Sequence, residues 1–193
     1  MQIQRPLSKQ PIPEHAKRVF QGVLFNVYQW EQTLYDGSMA IFEKVKRKDT
    51  VNIIPITSEG EIILSQQEQP GIQPFIGSFG GIIDKGESPI IAAQRELLEE
   101  TGYESDDIVF WFAVQPSEKI DWAIYTFVAR NCTKKQEQKP EAGERIKFLY
   151  LTFEEFLSSI IDEKYRDTEI ALKVLRNINN KKELENVKKL FFH

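Results

Sequence analysis

The chain holds a single cysteine, Cys132, so no intramolecular disulfide can form, and the expected location is the cytoplasm. Histidine is nearly as scarce: His15 and His193 stand near opposite ends. A two-histidine metal centre or a Ser–His–Asp set is therefore poorly supplied. Apolar runs extend only a few residues, far short of the roughly 20 that cross a bilayer. The opening MQIQRPLSKQPIPEH is polar and proline-bearing, with no apolar signal core. Positive charge is not in surplus either. The formal net charge is −4, which argues against a nucleic-acid or membrane-surface partner, since a basic stripe is expected there.

Two glycine patterns that would announce other chemistry are incomplete. FIGSFGG (75–81) places Gly77 beside Ser78 without the G-x-S-x-G spacing of a nucleophile elbow. Gly81 and Gly86 have the spacing of a phosphate-binding loop, but Glu87 stands where that loop needs lysine.

What is present suits a folded domain. The 193 residues are 41% hydrophobic and 28% charged, enough for one full core and a small appendage. Residues 1–16, with three prolines, read as an extended arm. Residues 18–30 are β-rich, and Asp36-Gly37 is a turn signal before SMAIFEKV. Residues 50–69 read as two strands about a Glu59-Gly60 turn, followed by a Pro/Gly-rich loop at 70–81. Further strands are expected at 108–115, 122–130 and 145–152. A helix is predicted over 89–101, with Ser88 as N-cap, Pro89 at N1 and Gly102 just past the end. Others are predicted after Thr152, over about 166–179 with Ile170, Val174 and Ile178 on one face, and within KKELENVKKLFFH. The basic, Phe-bearing C-terminal stripe is expected to pack on its own domain. Strands in both halves with one central helix indicate an α+β or mixed α/β fold.

Glu96, Glu99 and Glu100 raise the question of function. At helical spacing they share one face and repel one another by a few tenths of a kcal/mol per close pair, more if buried. Arg95 can relieve only part of that. A hard divalent ion, magnesium or manganese, takes oxygen ligands and would relieve it fully. A solvated acidic face is the plainer reading of RELLEE alone. The wider spacing speaks against it: Gly81, Glu87, Arg95, Glu96, Glu99, Glu100 and Gly102 satisfy G-x5-E-x7-R-E-U-x-E-E-x-G-U, where U is bulky and apolar. Coincidence of those seven types in a chain of this length is on the order of one in a million at ordinary residue frequencies.

That stretch resembles the signature box of the Nudix hydrolases, with Tyr103 where an aliphatic residue is usual. The resemblance implies an α/β/α sandwich with a mixed sheet, preceded here by an N-terminal β-rich segment. It also implies metal-assisted hydrolysis of a nucleoside diphosphate linked to another group. Carried over by position, Glu96 and Glu100 look like the principal metal ligands and Glu99 like a further ligand or a group that positions water. Glu87 looks like an auxiliary carboxylate, Gly80 like a backbone carbonyl ligand, and Arg95 like the orienter of the glutamates. The implied cofactor is Mg2+ or Mn2+. The expected division is an arm and strands at 1–47 and a catalytic domain at 48–193.

Within the family, EIILSQQEQPGIQPFIGSFGGIIDKGES looks most like the ADP-ribose pyrophosphatase branch. Gln67 and the run Gly81-Ile82-Ile83-Asp84-Lys85-Gly86-Glu87 fit that branch. Gln69 stands where it tends to place a substrate-binding arginine, and GSFGG, with Phe79, replaces its usual E-x-P-A-G. Pro116 follows the box as a proline often does there. Gln67, Gln69, Phe79, Pro116 and Glu118 are therefore candidates for substrate contact. Glu144 is the candidate catalytic base, with Glu141 and Glu118 as alternatives. The expected substrate is ADP-ribose or another nucleotide sugar, the alternatives being a dinucleoside polyphosphate or a module that senses nucleotide without cleaving it. The branch also implies a homodimer in which residues 18–47 cross to the second subunit.

Overall fold

Strands form where apolar residues alternate or run unbroken between turn-forming pairs. The computed structural model describes residues 3–139 and 143–193. They fall into two compact units. One comprises residues up to Thr50 together with Ala113–Ile124, the other Val51–Phe112 and Tyr125–His193.

The first unit holds β1 (Lys17–Gln21), β2 (Asn26–Thr33), β3 (Met39–Lys46) and the short β9 (Ile120–Asp121) in the order β1-β2-β3-β9. β2 and β3 form a hairpin closed at Gly37, whose φ is +82°. β9 joins β3 in parallel, which makes this sheet mixed. The N-terminal arm is tied down by buried and paired groups. Lys44 Nζ, almost wholly buried, donates to Ser8 Oγ and to the Gln10 carbonyl, each at 2.6 Å. Arg5 bonds both oxygens of Asp49 and also Asp121. β1 is exposed along its whole length.

The second unit is built on a sheet ordered β11-β5-β4-β10-β7, from β4 (Thr50–Thr57), β5 (Ile62–Glu68), β7 (Tyr103–Glu104), β10 (Ile124–Lys134) and β11 (Arg145–Leu151). β6 (Phe75–Gly77) pairs with β5, and β8 (Asp107–Val114) with β10. β4 is buried almost throughout and β10 over its first six residues, the pattern of strands covered on both faces. Around them pack α1 (Pro89–Glu96), α2 (Phe153–Ser159), α3 (Thr168–Leu175) and α4 (Lys181–Phe192). Mixed sheets with helices make this an α/β fold, as expected. Among the described residues no helix is long and apolar enough to cross a membrane.

Several local expectations hold. α2 opens with a full capping box between Thr152 and Glu155. The C-terminal stripe packs inward: Phe191 is fully buried against Trp111, Phe153 and Phe156. Others are corrected. Ser88 has the extended backbone of an N-cap, but its side chain makes no capping bond. The predicted 89–101 helix is α-helical only to Glu96 and then widens into a π turn over Leu97–Thr101, ended by Gly102 in the left-handed region. α3 is shorter than expected, and Ile178 lies beyond it, partly exposed. β6, β7 and β9 are two or three residues each, too short to carry a periodic signal.

Candidate active site

The glutamates gather around one cation. Arg95, at the end of α1, donates from Nε and Nη2 to the two oxygens of Glu87, each at 3.1 Å. Its Nη1 reaches Glu96 Oε1 at 2.7 Å and Glu99 Oε2 at 3.1 Å, and Nη2 also donates to the Ile82 carbonyl at 2.9 Å. One planar fork thus holds three carboxylates and the loop that precedes the helix. The bonds from Arg95 keep Glu87 below its ordinary carboxylate value.

Glu100 is not part of that hub. Its Oε2 accepts from the Gly80 peptide N–H at 2.8 Å, and the residue is buried. Burial pushes its pKa up to about 8; the neighbouring charges of Glu96 and Glu144 push the same way, and the Gly80 bond opposes them. The π turn separates the acids: Glu96 and Glu100 face inward, while the Glu99 side chain is 51% exposed. Such turns add a residue to one helical turn and occur often at functional sites.

Two glycines make room for these side chains. Gly80 has φ +146°, and a Cβ there would lie 2.0 Å from the Val51 carbonyl oxygen. A Cβ on Gly81 would lie 2.4 Å from Glu96 Oε1, so the space a side chain would fill is taken by a carboxylate. Phe79, between this pair and β6, hydrogen-bonds through its backbone with Ile53 in both directions and holds the loop against β4.

Strand register brings Glu144 to the same unit. β5 and β11 are antiparallel, with Glu68 opposite Arg145 and Gln67 opposite Ile146. One step beyond, Gln69 Nε2 donates to Glu144 Oε1 at 2.8 Å and lies 3.4 Å from Gln67 Oε1. Gln67 is buried, and its Nε2 donates to Ser65 Oγ at 3.0 Å. An open cleft of about 510 Å³ runs along Gln69, Pro70, Gly143 and Glu144, within the size range of small-molecule sites.

The remaining candidates have other surroundings. Phe79 is fully buried, edge-on to Phe148 at 5.6 Å, so its ring is core and has no face left for a substrate. Pro116 and Glu118 belong to the first unit, where Glu118 is exposed and pairs with Lys9 at 3.1 Å. Glu141 lies outside the described residues. A second acidic set has no sequence signal. Asp167, buried before α3, accepts from the Ser78 N–H at 2.6 Å and from Ser78 Oγ at 2.8 Å. Glu169 accepts from Asn52 at 2.7 Å.

The donor chemistry suits a hard divalent cation: carboxylates of Glu87, Glu96, Glu99 and Glu100 and backbone carbonyls of the glycine loop, with Glu100 raised by burial first and by its acidic neighbours second. Among the described residues, however, no three acidic side chains converge as a ready cage. The physical reason is visible in the hub: Arg95 draws three of the four glutamates onto its own N–H groups.

The family model of the NUDIX domain matches residues 46–176, so the chain belongs to the Nudix family. Over 163 residues it is 28% identical to the methanol dehydrogenase activator of Bacillus methanolicus, covering 82% of this chain and 88% of that one. Over 158 residues it is 27% identical to the ADP-ribose pyrophosphatase of Bacillus subtilis, covering 80% and 85%. Among solved structures, an ADP compounds hydrolase superposes with a TM-score of 0.72 over 93% of this chain and 99% of its own, at 21% identity. That last likeness is one of fold.

Proposed function

We propose that this chain is a divalent-metal-dependent pyrophosphohydrolase that cleaves ADP-ribose or a related nucleotide sugar to a nucleoside monophosphate and a sugar phosphate. The observation that carries the reading is the complete set Glu87, Arg95, Glu96, Glu99 and Glu100 within a Nudix domain, with Glu144 joined to Gln69 in the same unit. The names of relatives that act on ADP-ribose and ADP compounds support the substrate class.

Glu96 and Glu100 would be the principal holders of Mg2+ or Mn2+, aided by Glu99, Glu87 and the Gly80 carbonyl. The bound ion neutralises phosphate charge and acidifies a coordinated water. Arg95 would keep the glutamates oriented for the ion. Glu144 accepts the proton of the attacking water, steadied by the amide of Gln69. Water adds to one phosphorus, the bridging P–O bond breaks, and the leaving phosphate departs as an anion. Gln67 sits behind Gln69 and fixes its amide.

We also read the exposed apolar surface of the N-terminal strands, with Phe20, Met39 and Ile41, as the contact of a homodimer. Light scattering that returns a monomer would contradict that. The buried free thiol of Cys132 suits a reducing, cytoplasmic setting.

The test of function is a panel of nucleoside diphosphate derivatives incubated with magnesium, then phosphatase, and assayed for phosphate. Release from ADP-ribose that stops with chelator supports the reading. Preferred release from dinucleoside polyphosphates would move the substrate class. Tight binding without turnover would make the protein a sensor.

A further inference from the structure

Arg166 lies outside the glutamate motif, on the segment between α2 and α3. Its peptide N–H donates to the Ile76 carbonyl at 2.8 Å, and the Ile76 N–H donates to the Lys164 carbonyl at 2.8 Å. The segment therefore runs beside β6 as a parallel bridge, with Tyr165 against Ile76. The next residue, Asp167, is locked by the two bonds from Ser78. The backbone at 166 is thus held from both sides.

The side chain is arranged differently from its surroundings. Its guanidinium carbon lies over the Phe75 ring, 3.9 Å from the ring centre, a cation–π contact that leaves its N–H donors free to bond elsewhere. The ion pair with Asp167 is stretched, Nε to Oδ1 4.0 Å, and the side chain stays 49% exposed. A long, half-exposed ion pair of this kind contributes about 0–1 kcal/mol.

Strand pairing and the Ser78 bond place Arg166 beside the elements that carry the candidate site. Asp167, beside it in the chain and 4.0 Å away, is bonded to the Ser78 N–H, two residues before Gly80. Phe75, over which Arg166 lies, stands opposite Gln67 in the β5–β6 register, and Gln67 is the near neighbour of Gln69, which holds Glu144. A diphosphate entering among these acids needs cationic partners. Arg95 is paired with three glutamates, whereas Arg166 is half exposed with only a long ion pair to Asp167, and a guanidinium fork matches the paired oxygens of a phosphate.

We propose that Arg166, lying over Phe75, binds a phosphate group of the nucleotide substrate. The assignment rests on the hydrolase reading for its substrate, but its test does not depend on turnover.

Calorimetry with AMP and with adenosine, magnesium present, compares ligands that differ by one phosphate. Wild-type protein is expected to bind AMP at least tenfold more tightly than adenosine. Arg166→Gln is expected to lose at least tenfold in AMP affinity and nothing in adenosine affinity, with its melting temperature kept. For hydrolysis of ADP-ribose, KM rises by a similar factor and kcat changes less than threefold. Equal loss for both ligands, unchanged AMP binding, or a wild type that does not prefer AMP overturns the proposal. Should Arg166→Gln fail to fold, Arg166→Lys keeps the charge but loses the fork; a folded lysine variant with undiminished AMP affinity also overturns it. Absence of turnover on every nucleotide in the panel, with the AMP result intact, would fail the hydrolase reading and leave the phosphate contact standing.

Discussion

Gln69 Nε2 donates to Glu144 Oε1 at 2.8 Å, a bond between residues 75 positions apart. It exists because β11 returns antiparallel beside β5, and its register places the two residues one step past the last strand pair. An amide donor of this kind aims a carboxylate without neutralising it. Glu144→Gln is expected to lower kcat on ADP-ribose at least tenfold with magnesium affinity unchanged in calorimetry. Gln69→Leu, which leaves the carboxylate but removes its anchor, is expected to lower kcat less, about three- to tenfold. An unaffected rate in Glu144→Gln would move the base elsewhere.

Glu99 and Glu100 should prove essential in different ways. Glu99→Gln and Glu100→Gln are each expected to lower turnover at least tenfold while circular dichroism shows an unchanged fold. Glu99 is half exposed, so its loss leaves the melting temperature alone. Glu100 is buried with its charge disfavoured, so the neutral glutamine is expected to stabilise the metal-free protein at neutral pH and above. Wild-type rates in both variants would remove the metal role.

The same burial predicts a pH dependence. Glu100 rises from its ordinary 4.5 to about 8 in the folded chain, so folding favours its protonated form. That contribution is fully present below about pH 4.5, declines as pH rises, and is gone above about 8. In chelator, the melting temperature of wild type relative to Glu100→Gln is expected to fall between pH 5 and 8. Saturating magnesium should narrow that gap, because an ion held by Glu100 would favour its charged form. A constant gap across the range would refute it.

Glycine 81 separates activity from stability. A methyl group there meets Glu96 Oε1 at 2.4 Å, the end of a side chain that can swing away. Gly81→Ala is expected to cost at least tenfold in kcat with a small change in melting temperature. Gly80→Ala meets the Val51 backbone at 2.0 Å with φ +146°, which is expected to destabilise the fold by about 1–3 kcal/mol or more. Thermal unfolding of both variants distinguishes them.

Phe191 anchors α4 among Trp111, Phe153 and Phe156. Phe191→Ala is expected to cost about 3–5 kcal/mol in denaturant unfolding. A loss below 1 kcal/mol would show that the C-terminal helix adds little to the core.

Much of this architecture was legible in the residues. Asp36-Gly37 and Glu59-Gly60 mark turns where Gly37 and Gly60 adopt positive φ. Residues 50–69 read as two strands about that second turn, and β4 and β5 form there. The glutamate spacing located the candidate site. Less legible were the π turn at Leu97–Thr101, since i→i+5 bonding leaves no compositional mark, and the core position of Phe79, since an aromatic ring beside a glycine loop reads equally as ligand contact or packing.

The residue order alone determined the acidic motif, the turn chemistry and the apolar runs, because these depend on neighbours within a few positions. Only tertiary structure decided that Arg95 gathers Glu87, Glu96 and Glu99 while Glu100 turns to Gly80. It likewise decided that Glu144 meets Gln69 and that Arg166 lies on Phe75. Those pairings follow from strand register and loop closure, which bring together side chains that no local spacing relates.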